Sequence, residues 1–328
     1  MIVTKTPLRM SLFSGGSDMS SFYEKEKGAA LSVTIDKFVY VCVHRTPHLG
    51  IKAMYDKIEE TPDVETMQHE ISKEAFTYFN YKKEITVASI SDILSKGSGL
   101  GSSSTFTVGL VNALATLRWG HITKQYLADV ACEIEIDRCG YPIGKQDQYA
   151  AAFGGMNLFE FHTDGSVTNT AVNINDQRMF EFNQNLLLVY SGRGRSANSI
   201  LQKQRDSLID KSKFDKVRAN RDKAYQAYNS ILNGQFDDIG HLFHEGWQTK
   251  KTIVESISND YFDNVYNKAI EAGALGGKLL GAGGGGFFIF YVKKDKRSDV
   301  MSAVTEGTEC KIYDFQFYDK GSEVVANC

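Results

Sequence analysis

The chain has 328 residues, of which 42% are hydrophobic and 23% are charged, and its formal net charge is -3 at pH 7. This composition excludes a disordered or fibrous chain and is typical of a globular protein long enough for two domains. The small negative charge argues against overall affinity for nucleic acid or an anionic membrane, so we expect a small-molecule partner.

The cysteines and the apolar segments indicate the cellular compartment. The five cysteines are scattered and form no C-x-x-C pair, which favours buried thiols in a reducing compartment over a disulfide framework or a zinc site. The N-terminal stretch MIVTKTPLRMSLFSGG lacks the continuous apolar core of a signal peptide, and no apolar run reaches membrane-spanning length. The sequence therefore predicts a cytoplasmic protein that does not act at a membrane.

Strand and helix signals alternate along the first part of the chain. Two segments rich in β-branched and aromatic residues, Phe38–Arg45 and Lys83–Ile90, predict strands, and Val64–Phe79 between them predicts a helix. The next stretch is GSGLGSSST, after which apolar residues recur at helical spacing, so a helix is expected to begin near Ser102. A second amphipathic helix is expected from Thr123 to about Arg138, followed by a loop.

The pattern changes near Met179. The segment NLLLVYSG predicts a buried strand, and Ala197–Leu232 and Ile239–Ile257 predict helices. The chain closes with a glycine-rich turn that leads into a strand, then a helix and a last strand near CKIYDFQFYD. We therefore expect two domains, residues 1–178 and 179–328.

The glycine- and serine-rich stretch predicts a phosphate site. Glycines permit positive φ and expose backbone N–H groups, and a helix that begins behind them presents its positive end to anions. The P-loop pattern fails because Leu279 follows Gly276-Gly277-Lys278, and the dinucleotide pattern G-x-G-x-x-G fails because Ser102 stands at its third glycine. What remains is a loop whose backbone could bind phosphate and whose three consecutive serines could offer a hydroxyl to magnesium.

Three separated motifs resemble those of the GHMP kinases, and they occur in that family's order. They are TPLRMSLFSGGSD near the N-terminus, GSGLGSSST, and KLLGAGGGGF near the C-terminus, so they bracket nearly the whole chain. One departure is the absence of the family's usual proline just before the second motif, around Ser95. The resemblance implies an α+β fold of two domains, the first with a left-handed βαβ crossover and the second ferredoxin-like, with the active site in the cleft between them.

Further segments of the sequence resemble particular members of this kinase family. RMSLFSGGSD lacks the Glu-His pair of galactokinases, whereas GKQDQYAAAFGGMN, SGRGRSANSIL and LFHEGWQTKK look like the D-glycero-D-manno-heptose 7-phosphate kinases. That resemblance implies ATP-dependent phosphorylation of the anomeric C1 hydroxyl of the heptose 7-phosphate, with Mg²⁺, on the route to GDP-heptose for surface polysaccharide. The expected partners are a sugar phosphate and a nucleotide, with the protein a monomer or homodimer. The alternatives are another sugar-1-kinase, acting on fucose or galactose, and a catalytically silent sugar sensor.

The family pattern implies the catalytic and metal-binding residues. Asp147 matches the family's proposed general base. Arg9 matches the basic residue near the transferred phosphoryl group, where a permanently charged guanidinium would stabilise the negative charge that develops in the transition state. Ser103 and Glu135 match the ligands of magnesium, which needs only one or two protein oxygens when it bridges nucleotide phosphates. Helix phase alone leaves the choice between Glu135 and its neighbour Glu133 open.

The resemblance also implies the binding residues. Asp18 is similar to the carboxylate that binds hydroxyls in sugar-1-kinases, and two arginines in SGRGRSANS could hold the phosphate of the substrate. The residues expected to bind nucleotide are Gly97, Ser98, Gly99, Leu100, Gly101, Ser102, Ser103 and Ser104. Those expected to bind the sugar are Gly16, Ser17, Asp18, Arg193, Arg195 and Gly283.

Overall fold

The computed structural model describes residues 1–47, 49–93, 97–194 and 198–328, which form two β-sheets with helices packed against them. The strands are β1 Ile2–Phe13, β2 Gly28–Arg45, β3 Ile51–Met54, β4 Ile58–Thr61, β5 Ile85–Ser91, β6 Met156–Phe161, β7 Val167–Ala171, β8 Leu186–Tyr190, β9 Gly276–Leu279, β10 Phe287–Tyr291, β11 Lys311–Tyr313 and β12 Glu323–Asn327.

The α-helices lie mainly after β5 and between the last strands of the chain. They are α1 Ser20–Tyr23, α2 Glu70–Tyr78, α3 Ser102–Trp119, α4 Lys124–Cys132, α5 Gln146–Phe153, α6 Asp176–Gln184, α7 Asn198–Ser207, α8 Lys211–Asn233, α9 Phe236–Lys251, α10 Asp260–Glu271 and α11 Arg297–Thr305. A π-helical turn, Glu133–Arg138, continues α4. No helix in the described ranges is both long and apolar enough to cross a membrane.

The first sheet is organised around β2, whose 18 residues pair with three other strands. The strand order is β12-β1-β2-β5-β3-β4, with β6 paired to β2 and β7 to β6. Only β3 and β5 are paired in parallel among the described strands, and α2 lies in the connection between them, which makes this a βαβ unit. The left hand that the family resemblance implies for a crossover in this domain stays a prediction.

Helix α3 packs closely on this sheet and places its N-terminal end beside β1. Thr4 Oγ1 donates a hydrogen bond to the carbonyl of Gly109 at 2.9 Å, and a Cβ atom at Gly109 would lie 2.9 Å from Thr6 Oγ1. A glycine in the middle of the helix therefore allows the helix and strand to approach each other. Most apolar residues of α3 are buried, and they form much of the core between helix and sheet.

The second sheet contains four antiparallel strands in the order β11-β8-β10-β9. Helices connect β8 to β9, a glycine-rich turn connects β9 to β10, and α11 connects β10 to β11. Numbered along the chain, these strands have the spatial order 4-1-3-2 of a βαββαβ unit, which is the ferredoxin-like arrangement. The expected fold class is thus confirmed.

The observed elements differ from the sequence expectations at several boundaries. The single helix expected over residues 197–232 is two helices, because the Asp210 side chain accepts hydrogen bonds from backbone N–H groups and caps a new helix, α8. The helix expected to reach Ile257 ends at Lys251. The edge strand β12 was not predicted, and it pairs with β1 so that the C-terminal residues join the first sheet. The domain boundary near residue 178 stays a prediction.

Candidate active site

The glycine- and serine-rich loop has the backbone conformation that its glycines predict. Gly97, Gly99 and Gly101 have φ angles of +71°, +76° and +76°, in the left-handed region that favours glycine. Helix α3 begins at Ser102, and the N–H of Thr105 makes its first bond, to the carbonyl of Gly101 at 2.8 Å. The N–H groups of residues 102–104 precede that bond, so this helix end is suited to bind phosphate oxygens.

The third motif packs directly against this loop. The N–H of Phe287 donates to the carbonyl of Ser98 at 3.1 Å. A Cβ atom at Gly281 would lie 2.7 Å from the Cα of Gly99, so two glycines are in backbone contact there. The third motif therefore supports the glycine–serine loop by direct backbone contact. Gly283 has a φ of +91° and lies beside the cleft, and its assignment to the sugar stays a prediction.

Replacing Gly99 with alanine is expected to raise the KM for ATP at least about tenfold, because a Cβ atom would lie 2.5 Å from the carbonyl oxygen of Leu280 and the loop would have to move. Steady-state kinetics at varied ATP tests this. Gly120→Ala is the matched control, since Gly120 also has positive φ, +89°, but a Cβ atom there meets nothing within 4 Å. Equal KM values for ATP in both variants would contradict a role for the close contact.

Arg9 and Asp147 are joined in one ion pair at the centre of the cleft. Arg9 Nε donates to Asp147 Oδ1 at 2.7 Å, and Nη2 of the same guanidinium donates to Oδ2. Arg9 also donates through Nη1 to the carbonyl of Gly99 at 2.8 Å, and its own N–H donates to the carbonyl of Leu100 at 3.1 Å. The guanidinium therefore links the carboxylate to the glycine–serine loop. The Asp147 side chain keeps 28% of its surface exposed, so a ligand in the cleft can reach it.

Glu135 is buried opposite this pair, on the π-helical turn after α4. Ser103 Oγ donates to Glu135 Oε1 at 2.9 Å, and Gln148 Nε2 donates to Oε2 at 2.6 Å. The pKa of the Glu135 carboxyl is raised to about 7, mainly by burial and also by the nearby charge of Asp147, while the hydrogen bonds act in the opposite direction. Glu133 instead pairs with Arg138 at 2.8 Å on the outer face of the turn.

The Ser103–Glu135 pair fits a magnesium ion. Both residues line the cleft, the serine hydroxyl is exposed, and a buried carboxylate facing a hydroxyl is an oxygen-only donor set. A group of three or more acidic, histidine or cysteine side chains suited to a metal does not occur among the described residues. Two protein oxygens suit magnesium, which keeps several waters and binds nucleotide phosphates, so the assignment of Ser103 and Glu135 as its ligands stays a prediction that the chemistry of these residues supports.

Asp18 provides a second buried carboxylate in the cleft. Ser14 Oγ donates to its Oδ1 at 2.9 Å, and the N–H of Gln146 donates to its Oδ2 at 3.3 Å. Burial raises the pKa of Asp18, and so does the charge of Asp147. A Cβ atom at Gly144 would lie 2.0 Å from Asp18 Oδ2, so only glycine fits beside it. The position of Asp18 agrees with a role in binding sugar hydroxyls, which stays a prediction.

The residues before Asp18 have different surroundings. Ser17 is fully buried, and its hydroxyl donates to the carbonyl of Ala29 at 2.8 Å, so it fixes the loop rather than lining the cleft. Gly16 lines the cleft, and a Cβ atom there would lie 2.2 Å from Gln204 Nε2 of α7. The glycine therefore allows a close approach of α7 to this loop. The assignment of both residues to the sugar stays a prediction.

The two arginines assigned to the substrate phosphate are not both described. Arg195 lies outside the described residues. Arg193 pairs with Glu309 at 3.3 Å, and its guanidinium carbon lies 3.7 Å from the ring centroid of Tyr261. It is absent from the described residues that line the cleft. Its role in substrate binding stays a prediction, and the structure gives it two other partners.

Two cleft lysines were missed by the sequence reading. Lys250 of α9 and Lys278 of β9 both line the cleft, whose volume is about 350 Å³. Lys250 Nζ donates to the carbonyl of Gly281 at 2.6 Å, and Lys278 Nζ donates to the carbonyl of Leu12 at 2.7 Å. The sequence placed both in segments that resemble the family, but no spacing rule indicates that two lysines 28 positions apart face one cavity.

The comparisons with known proteins agree with this fold. Residues 64–155 match the model of the GHMP kinases N terminal domain, and residues 227–309 match that of the GHMP kinases C terminal. The matching families and relatives are kinases, so the chain is a phosphotransferase. The chain belongs to the GHMP kinase family, and within it to the sugar kinases.

Individual relatives are similar to this chain over nearly its whole length. The chain is 30% identical to the D-glycero-alpha-D-manno-heptose 7-phosphate kinase of Campylobacter jejuni, over 98% of this chain and 97% of that protein. The crystal structure of a putative sugar kinase from Campylobacter jejuni is similar at a TM-score of 0.77 and 28% identity, over 98% of this chain and 97% of that one. A D-glycero-D-manno-heptose 1-phosphate kinase from Bacteroides thetaiotaomicron shares the fold at a TM-score of 0.81 and 24% identity, with both chains fully covered.

Proposed function

We propose that this protein transfers the γ-phosphoryl group of ATP to the anomeric C1 hydroxyl of D-glycero-D-manno-heptose 7-phosphate. The products are the 1,7-bisphosphate and ADP, and the reaction is a step toward GDP-heptose for surface polysaccharide. The observation that carries the proposal is the Arg9–Asp147 pair, which lies between the glycine–serine loop and Asp18. A nucleotide on the loop and a sugar on Asp18 would thus meet at this pair.

The charged and hydroxyl side chains of the cleft have different roles in the proposed transfer. The Asp147 carboxylate accepts the proton of the C1 hydroxyl while that oxygen attacks the γ-phosphorus and the bond to the ADP oxygen breaks. An anomeric hydroxyl is more acidic than an ordinary alcohol, so a carboxylate suffices as acceptor. Arg9 stays charged and offsets negative charge on the attacking oxygen and the phosphoryl oxygens. Ser103 and Glu135 would hold Mg²⁺, which offsets phosphate charge when bound.

The sequence identities of the relatives favour the heptose 7-phosphate over other sugars as the substrate. The kinase of that substrate in Campylobacter jejuni is 30% identical over nearly the full chain. The bifunctional fucokinase of Arabidopsis thaliana is 26% identical over 67% of this chain, and the galactokinase of Pyrococcus furiosus is 22% identical over 92%. A fucose or galactose kinase is therefore the second candidate. A silent sugar sensor is disfavoured because Arg9, Ser103, Glu135 and Asp147 all line one cleft.

The setting of the reaction is part of the proposal. We place the protein in the cytoplasm, where its five free cysteines would remain thiols. Its partners are the nucleotide and the sugar phosphate, without nucleic acid or membrane, and it acts as a monomer or homodimer.

The substrate is tested by ADP release from MgATP with D-glycero-D-manno-heptose 7-phosphate, mannose, fucose, galactose and mevalonate. We expect kcat/KM for the heptose 7-phosphate to exceed that of sugars without the phosphate at least about tenfold, because each charged hydrogen bond to the phosphate is worth about 1.5 to 3 kcal/mol. Phosphorus NMR should locate the new phosphate at C1. An equal kcat/KM with free mannose, fucose or galactose would show that the heptose 7-phosphate is not the preferred substrate. ATP binding without ADP release would favour the hypothesis of a sugar sensor.

A further inference from the structure

Lys250 and Lys278 are cations without an anionic partner. Each ammonium group donates to a backbone carbonyl, and in the described part of the chain neither forms a salt bridge with a carboxylate. Both side chains are partly buried, and the surface that remains open belongs to the cleft they line. The neighbouring Lys251 on α9 differs, because it pairs with Asp263 at 3.0 Å outside the cleft. The two cleft lysines thus differ from Lys251 in having no carboxylate partner in the described part of the chain.

The electrostatics of the cleft make this arrangement unfavourable without a ligand. The pKa of Lys250 is lowered to about 8, mainly by burial and also by the charge of Arg9, with Asp18 acting in the opposite direction. Burial lowers the pKa of Lys278 well below its usual range, and the charges of Lys250 and Arg9 add to that effect. Three cationic side chains therefore share one cleft, and Arg9 alone among them has a paired carboxylate. An anion would relieve the repulsion between the other two.

The surrounding residues indicate that the ligand carries oxygen acceptors. Trp247 precedes Lys250 by three residues on α9, so the two side chains lie on one face of the helix. Trp247 is among the residues that line the cleft, it is fully buried, and its Nε1 has no hydrogen-bond partner among the described residues. An indole N–H can only donate. The cleft therefore offers two ammonium groups, and its wall contains a further donor without an acceptor.

We propose that Lys250 and Lys278 form a receptor for a phosphate dianion, supplied either by the sugar substrate, as its own phosphate, or by the nucleotide, as the group in transfer. This inference rests on the proposed function, because both anions belong to that reaction. Lys250 donates a hydrogen bond to the carbonyl of Gly281, which contacts Gly99 of the glycine–serine loop. Lys278 donates to the carbonyl of Leu12, at the end of the strand that leads to Asp18. The receptor therefore spans the two halves of the cleft.

Binding of the anion is tested without any sugar by thermal unfolding in rising concentrations of inorganic phosphate. We compare the wild-type protein with Lys250→Gln, Lys278→Gln and the control Lys251→Gln. The wild-type protein and the control should gain stability with phosphate, and the two cleft variants should gain markedly less. The cleft variants should also unfold no earlier than the wild-type protein without phosphate, because each loses a buried amine whose charged form the fold disfavours. Equal stabilisation of all four proteins by phosphate would overturn the receptor.

The source of the anion is found by kinetics with heptose 7-phosphate and with the same heptose lacking its phosphate. If the lysines hold the sugar's phosphate, Lys250→Gln and Lys278→Gln raise KM for the phosphorylated sugar at least about tenfold and leave the free heptose nearly unchanged. If they hold the group in transfer, kcat falls at least about tenfold with both sugars. Wild-type kinetics in the cleft variants with both sugars would overturn the inference.

The two failures can be told apart. If the wild-type protein does not phosphorylate the heptose 7-phosphate, the proposed substrate is wrong, and the phosphate titration still decides whether the lysines form an anion receptor. If the wild-type protein is active and the lysine variants respond to phosphate as the wild type does, the proposed function stands and the receptor is wrong.

Discussion

Replacing Asp147 with asparagine is expected to lower kcat by a factor of about 10² to 10⁴, the range assigned to loss of a general base. The amide keeps the size of the side chain and can still accept from Arg9 through its oxygen, but it cannot take the proton of the attacking hydroxyl. ATP affinity should change little, because the nucleotide loop contacts Arg9 rather than Asp147 in this structure. Single-turnover rates with saturating MgATP, together with nucleotide titration, separate the two effects.

The control for this substitution is Asp176→Asn. Asp176 also lies in the first turn of a helix, α6, but it is exposed and outside the cleft. The kcat of this variant measures the effect of removing a carboxylate from the first turn of a helix that lies outside the cleft. An Asp147→Asn enzyme with nearly the wild-type kcat would show that the base is elsewhere or is not needed.

Local sequence features predicted the loop because its conformation depends on its own residues. Gly97, Gly99 and Gly101 take positive φ wherever such a turn forms, and the helix behind them begins within the serine run as expected. The relation between this loop and the third motif is not local. The backbone contact between Gly99 and Gly281 joins segments far apart in the sequence, and no local pattern indicates it.

The residues that sequence reading missed or left open depend on packing across long separations. Lys250 and Lys278 come from a helix and a strand, and their shared cavity exists only in the folded chain. The choice between Glu133 and Glu135 stayed open because helix phase was counted at the α-helical period. The π-helical turn at Glu133–Arg138 breaks that period, and it turns Glu135 inward while Glu133 remains beside Arg138.

Strand β12 illustrates the limit for secondary structure. Its five residues, EVVAN, are too short and too exposed to give a clear strand pattern. The strand forms because backbone groups of β1 are available at the sheet edge, with Ile2 opposite Asn327. Pairing over such a separation is set by the rest of the fold rather than by local propensity.

Replacing Glu135 with glutamine is expected to remove most of the magnesium-dependent activity and yet to stabilise the free protein. The raised pKa, about 7 against an ordinary 4.5, means that the unfolded chain ionises this carboxyl more readily than the folded protein does. Stability is therefore lost as pH rises from 4.5 to 7, and it stays lower above that. At about 1.36 kcal/mol per pKa unit, the loss is at most about 3 kcal/mol.

The neighbouring groups can accommodate the amide. Gln148 Oε1 is buried without a hydrogen-bond partner among the described residues, so rotation of the Gln148 amide would let it accept from the new NH₂ group. Thermal unfolding of the variant should thus occur at higher temperature than that of the wild type at pH 8, and the difference should shrink toward pH 4.5. The matched control is Glu133→Gln, which removes a carboxylate two residues away that pairs with Arg138 on the outer face.

Kinetics at varied magnesium complete this test. A neutral amide is a much weaker ligand than a carboxylate for a hard cation, so Glu135→Gln should require at least about tenfold more Mg²⁺ for half-maximal activity. Glu133→Gln should keep the wild-type requirement. If the two variants exchanged these behaviours, the ligand would be Glu133, and the π-helical turn would have to rearrange when MgATP binds. A Glu135→Gln protein that is more stable and yet requires more Mg²⁺ would show that this buried carboxylate is kept, at a cost in stability, because the reaction requires its charge.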